Sequence, residues 1–174
     1  MFYDLLKKLN AGEGRIDIMH IGDDYGTQNG TLLSVPMWRK YIEPRLRKII
    51  EVSKFYGAKV MLHSCGSVRE IIPDLIRVGI DILDVVQPEP KGMDLKELKS
   101  DFGDEIVYHG TISVAGTLTR GCAGEVMEEV KRIISIMAPG GGFVLAPTHT
   151  ILPETPLENI IALYETGYKY GKCK

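Results

Sequence analysis

The segment VMLHSCGSVRE, residues 60–70, sets His63 and Cys65 two positions apart at the end of an apolar run. Alternation by two puts both side chains on one face of a strand. An imidazole and a thiolate placed in this way can share one Zn²⁺ ion. Ser67, with Glu70 three residues on, has the form of a capping box that opens a helix. A helix N-terminus at that point would favour the thiolate of Cys65. The competing reading is a buried cysteine beside a hydrogen-bonded histidine in a tight turn. A third ligand must come from another strand. His149 in APTHTILPETP is the best candidate, and Cys122 of TRGCAGEV, otherwise a small helix-start residue, is the fallback. Three protein ligands with an open fourth position describe a catalytic zinc site.

The elements that would position these residues follow a regular alternation. Five short apolar runs read as strands: RIDIMHIG (15–22), AKVMLHS (58–64), IDILDVV (80–86), EIVYHG (105–110) and GFVLAP (142–147). Helical periodicity falls near 36–56, 68–78, 94–102, 122–138 and 156–170, with Gly or Pro as punctuation. Pro44 predicts a kink in the first helix. Asp94 with Glu97, and Thr155 with Pro156 and Glu158, mark helix starts; Gly57, Gly79 and Gly103 mark ends. Strands alternating with helices imply an α/β fold with a parallel sheet and right-handed crossovers. Five βα units are fewer than the eight of a closed (β/α)₈ barrel. Residues 1–174 therefore read as one domain, either a small open α/β fold or part of a barrel.

In both architectures ligands bind beyond the carboxyl ends of the strands. Those ends carry Asp23, Asp24, Tyr25 and Gln28; His63, Ser64 and Cys65; Gln87 and Glu89; His109 and Thr111; Thr148 and His149. Asp24 could accept a proton or orient a substrate, although Asp23 and Asp24 equally suit a turn that bonds its own backbone. Gln87 could read a polar substrate group or bridge backbone atoms, and His109 is a pocket candidate. His20, in mid-strand, reads as a satisfied core or layer residue. Trp38 and the Tyr41/Ile42 stripe read as core, and Cys173 as a solvent-facing tail residue.

Composition narrows the classes. A net charge of −2 gives no basic excess for nucleic acid or an anionic membrane surface. No apolar run is long enough to span a bilayer, and the N-terminal segment lacks the pattern of a signal peptide. An odd cysteine count without framework spacing suits a reducing compartment, so a cytoplasmic location is expected.

Taken together, GDDYGTQNG…P.MW, LHSCGSVREIIPDLIRVGIDILDVVQPE and GGGFVLAPTHTILPETPLENI resemble the uroporphyrinogen decarboxylase superfamily, from about Arg15 to Gly171. The resemblance implies the C-terminal part of a (β/α)₈ TIM barrel, about five βα units. His63-Cys65-Gly66 looks like the branch of zinc-dependent methyltransferases that move a methyl group between a corrinoid protein and a thiol. In that branch the histidine and cysteine bind zinc together with a second cysteine from the last strand, where this sequence has His149. The implied metal set is therefore His63, Cys65 and His149 on zinc, with a small-molecule thiol as acceptor; Asp24, Gln87 and His109 are the catalytic candidates read from the strand ends beside it. Two alternatives stand beside it. One is porphyrinogen decarboxylation in a completed barrel, which would need an aspartate and arginines from the barrel's first strands. The other is a non-catalytic barrel fragment that acts as a binding or assembly partner. An open sheet invites pairing, so association with a second copy or with a separate N-terminal half-barrel chain is expected.

Overall fold

A computed structural model describes residues 16–172; Cys173 lies outside them. Five parallel strands, β1 (Ile18–Gly22), β2 (Lys59–His63), β3 (Ile82–Asp84), β4 (Val107–Ile112) and β5 (Phe143–Pro147), form one sheet in sequence order. The helices are α1 (Val35–Tyr41), α2 (Glu43–Phe55), α3 (Ile72–Val78), α4 (Leu95–Phe102), α5 (Thr117–Arg120), α6 (Ala123–Met137) and α7 (Leu157–Tyr170). This order of strands and crossovers is a partial (β/α)₈ barrel. Alternation along the strands separates two faces. Val60 and Leu62 of β2 are fully buried with Ile71, Leu75 and Leu98, whereas Met61 and His63 face the partly open inner side. Each large aliphatic side chain in that helix-covered core contributes about 1.5–3 kcal/mol. Tyr108 of β4 joins the core, and its hydroxyl donates to the Leu98 carbonyl at 2.9 Å.

Several boundaries differ from those read in the sequence, each for a local reason. The segment near 36–56 is two helices, not one kinked helix. Pro44 has no N–H to continue α1, so it occupies the first turn of α2, where none is needed. Ile42 joins the two: its N–H donates to Trp38 O at 2.8 Å, and its carbonyl accepts from Leu46 N–H at 3.0 Å. Trp38 is core as expected, but Tyr41 is about half exposed and Ile42 only partly buried. The Ser67 capping box does not form. Ser67 Oγ instead donates to the Lys91 carbonyl at 2.7 Å, and a 3₁₀ turn over Arg69–Ile71 leads into α3. Thr155 does not cap α7 either. Its hydroxyl pairs with that of Thr119 at 2.7 Å, and Pro156 is the cap residue. Asp94 does cap α4, accepting from the N–H groups of Lys96 and Glu97, both at 3.0 Å. Cys122 caps α6 in a capping box with Glu125. The third strand is shorter than its apolar run and ends at Asp84.

Candidate metal and imidazole site

Residues after β1 and β2 build the site by holding each other's backbone. Gly26 and Gly66 touch main chain to main chain: a Cβ on Gly26 would stand 2.5 Å from the Cys65 carbonyl, and one on Gly66 2.6 Å from Gly26 C. Gly66 has φ +82°, a conformation that other residues rarely adopt. Ser67 N–H donates to Thr27 O at 2.7 Å across the same seam. The HSCG turn is then tied by side chains. Asp24 Oδ1 accepts from Cys65 N–H at 2.8 Å, and Gln87 Oε1 accepts from Gly66 N–H at 2.7 Å. In this geometry Asp24 and Gln87 act on backbone, and Asp24 Oδ1 also lies 3.8 Å from His63 Nε2.

His63 Nε2 lies 3.5 Å from Cys65 Sγ. His149, exposed after β5, stacks edge-on to His63 with ring centroids 6.0 Å apart. The ligand atoms of His63, Cys65 and His149 all lie within 4.8 Å of one another. Tetrahedral zinc with ordinary Zn–N and Zn–S lengths sets its nitrogen and sulfur about 3.5 Å apart, so the existing spacing fits that ion. Cys122, at the start of α6, is in neither of the two potential ligand groups found among the described residues. The Cys65 thiol itself departs from the sequence reading. Burial, and then the negative charges of Asp24 and Asp84, push its pKa up. The α-helix proper begins only at Ile72, seven residues after Cys65.

The residue that sequence reasoning missed is Asp84. Parallel register aligns His63 of β2, Asp84 of β3 and His109 of β4 in one row. Asp84 Oδ1 accepts from His109 Nδ1 at 2.6 Å, and Oδ2 lies 3.0 Å from His63 Nδ1 and 3.1 Å from His20 Nε2. His20 is thus bonded as expected, but it is exposed on the inner side of the edge strand, not packed in a core. Burial would raise the Asp84 pKa, but the hydrogen bonds from His109, His63 and His20 outweigh it and hold the carboxyl at about 2. His20, His63, Asp84, His109 and His149 line one open cleft of about 460 Å³, whose lining among the described residues includes no lysine or arginine.

The sequence profile of uroporphyrinogen decarboxylase (URO-D) matches residues 13–170. The chain belongs to the URO-D family. Among its relatives is a methylcobamide:CoM methyltransferase, MtaA, of Methanosarcina barkeri, 34% identical over 91% of this chain and 43% of that protein. A uroporphyrinogen decarboxylase of Rickettsia africae (strain ESF-5) is 27% identical over 90% of the chain and 42% of its own length. A solved methyltransferase from Methanosarcina mazei superposes with a TM-score of 0.70 at 29% identity, covering 90% of this chain and 43% of that one. Within the URO-D family the chain stands nearer the MtaA branch, and it spans less than half the length of these relatives.

Proposed function

We propose that this URO-D-family chain is a methyltransferase module that moves a methyl group between a corrinoid, carried by a partner protein, and a small thiol. The observation that carries the reading is the His63, Cys65 and His149 donor set, with nitrogen and sulfur already at zinc-compatible spacing, in a chain similar to a methylcobamide:CoM methyltransferase. A zinc ion held there would supply Lewis acidity that lowers the pKa of a bound thiol. The chain's own residues do the rest. His63 presents Nε2 because Asp84 engages Nδ1. Asp24 and Gln87 fix the turn that presents Sγ of Cys65. His149 closes the set from the loop after β5. The chain acts as one domain of a (β/α)₈ barrel, in the cytoplasm by its cysteine usage, and works together with the strands that complete that barrel.

Porphyrinogen decarboxylation is the weaker reading. A substrate bearing several carboxylates needs cationic groups facing it, and among the described residues the cleft lining has histidines around a carboxylate but no lysine or arginine. The test is thiol-dependent demethylation of methylcobalamin, followed by cobalt absorption, with the chain alone and with a first-half barrel added. Turnover that is lost in His63→Ala supports methyl transfer. Turnover of uroporphyrinogen instead would favour the decarboxylase. Neither activity in either mixture would leave the chain as a non-catalytic assembly partner.

A further inference from the structure

Asp84 is unusual for its company. A single carboxylate at the end of a short central strand receives three imidazoles, one from each neighbouring strand and one from β1. Its side chain is 9% exposed, so few of its lone pairs can be satisfied by water, and a buried charge needs such partners. An ionised carboxylate only accepts hydrogen bonds. Each ring nitrogen that faces it must therefore carry a proton: Nδ1 of His63, Nδ1 of His109 and Nε2 of His20. In the neutral ring the other nitrogen then has a bare lone pair. For His63 and His109 that nitrogen is Nε2, and both rings line the same cleft.

Resting on the methyl-transfer reading above, the geometry points to Asp84 as a positioning residue that fixes His63 and His109 in the Nδ1–H tautomer, so that one Nε2 lone pair serves a metal ion and the other accepts the proton of an incoming thiol. The two roles follow from place. His63 Nε2 stands 3.5 Å from Cys65 Sγ and belongs to the donor set. His109 lies one strand further on, on the opposite oxygen of Asp84, and belongs to neither group of potential ligands. An acceptor thiol entering the cleft breaks its S–H bond, keeps the electron pair on sulfur and passes the proton to His109 Nε2. The imidazolium so formed retains its Nδ1–H bond to Asp84, as a histidine between a carboxylate and a reacting group does elsewhere. The carboxylate offsets the new charge without itself taking the proton.

Long-range ¹H–¹⁵N spectra of the imidazole rings test this on the chain as it is. In the metal-free wild type, His63 and His109 are expected in the Nδ1–H form. Asp84→Ala returns both to the Nε2–H form that free imidazole prefers. Asp84→Asn, which keeps the shape and guards against an unfolded variant, shifts at least one of them, because an amide must donate on one side. Zinc is expected to move the Nε2 signal of His63 alone. Subsequent 2-mercaptoethanol is expected to bring both His109 nitrogens to the imidazolium range, a change absent in Asp84→Ala. A proton on Nε2 of His109 in the metal-free wild type would overturn the inference. So would a His109 signal that ignores a thiol bound at the zinc-loaded site. Correct tautomers with no response of His63 to zinc would uphold the role of Asp84 and count against the metal reading alone.

Discussion

His63 and Cys65 were readable because period-two spacing at a strand end is a local signal, and His149 because it sits at the matching end of the last strand. Asp84 was not. It sits inside IDILDVV, and an acid within an apolar run looks like a turn residue until register places it between His63 and His109. The usable signal was the conjunction itself: histidines at the ends of neighbouring strands with one acid on the strand between them. Asp24 illustrates the limit of reading chemistry from residue type, since its Oδ1 holds the Cys65 N–H. Its contribution to the site is therefore positional. Asp24→Asn, which keeps an acceptor oxygen, is expected to retain zinc affinity, whereas Asp24→Ala weakens it by about tenfold, as loss of groups supporting a metal ligand does. Equal affinities in a competitive chelator titration would argue against that role.

At the scale of elements, the strand–helix rhythm was legible because each apolar run is short, β-branched and bounded by Gly or Pro. The capping residues were less so: Ser67 and Thr155 spend their hydroxyls on tertiary partners, Lys91 O and Thr119 Oγ1, which no local pattern encodes. The contact between the loops after β1 and β2 gives a sharp expectation. Gly66→Ala meets both a positive φ and a backbone atom at 2.6 Å, which costs at least about 1–3 kcal/mol and should abolish zinc binding by opening the turn. Gly22→Ala, where a Cβ would meet nothing within 4 Å, is the control. A Gly66→Ala protein with wild-type melting and metal content would refute the seam.

Helix packing supplies a pH prediction. Asp74 of α3 is buried, accepts from Arg39 Nε of α1 at 3.0 and 3.1 Å, and also pairs with Arg77. Burial works to raise its pKa, but the hydrogen bonds and charges of the two arginines more than offset that and hold it below the usual carboxylate value. A carboxyl lowered in the folded state stabilises fully above the unfolded value of about 4 and loses that contribution as pH falls through the folded one. Asp74→Ala is expected to cost about 2 kcal/mol at neutral pH, less than for a fully buried pair because both arginines are half exposed. That is roughly 4–8 °C in Tm. The gap between variant and wild type should narrow below pH 4, and a gap independent of pH would contradict the assignment.

On the scale of the whole molecule, β1 pairs only with β2 and β5 only with β4 among the described residues. Helix α7 presents Leu157, Ile161, Tyr164 and Tyr168 outward, at spacings of four, three and four; Leu157 is 67% and Tyr168 76% exposed. An apolar stripe of that period on a 14-residue helix suits another helix, and beside an edge strand it suits a further βα unit in barrel order. Strand count alone left a small open α/β fold beside a partial barrel, and the family resemblance decided for the barrel; what covers this face was not legible, because no local pattern in α7 encodes its partner. The chain by itself is expected to self-associate in light scattering across micromolar concentrations, and Leu157→Glu with Tyr168→Glu should reduce that association. A monodisperse monomer at every concentration would contradict it.

The central claim is the donor set, and metal content tests it most directly. Purified wild type, reconstituted with zinc and passed through a desalting column, should hold about one zinc per chain by plasma mass spectrometry, as expected of a three-ligand site. Cys65→Ser and His149→Ala, shown to be folded by circular dichroism, should each lose it. Wild type without zinc, or variants that keep it, would contradict the account and return HSCG to a structural turn.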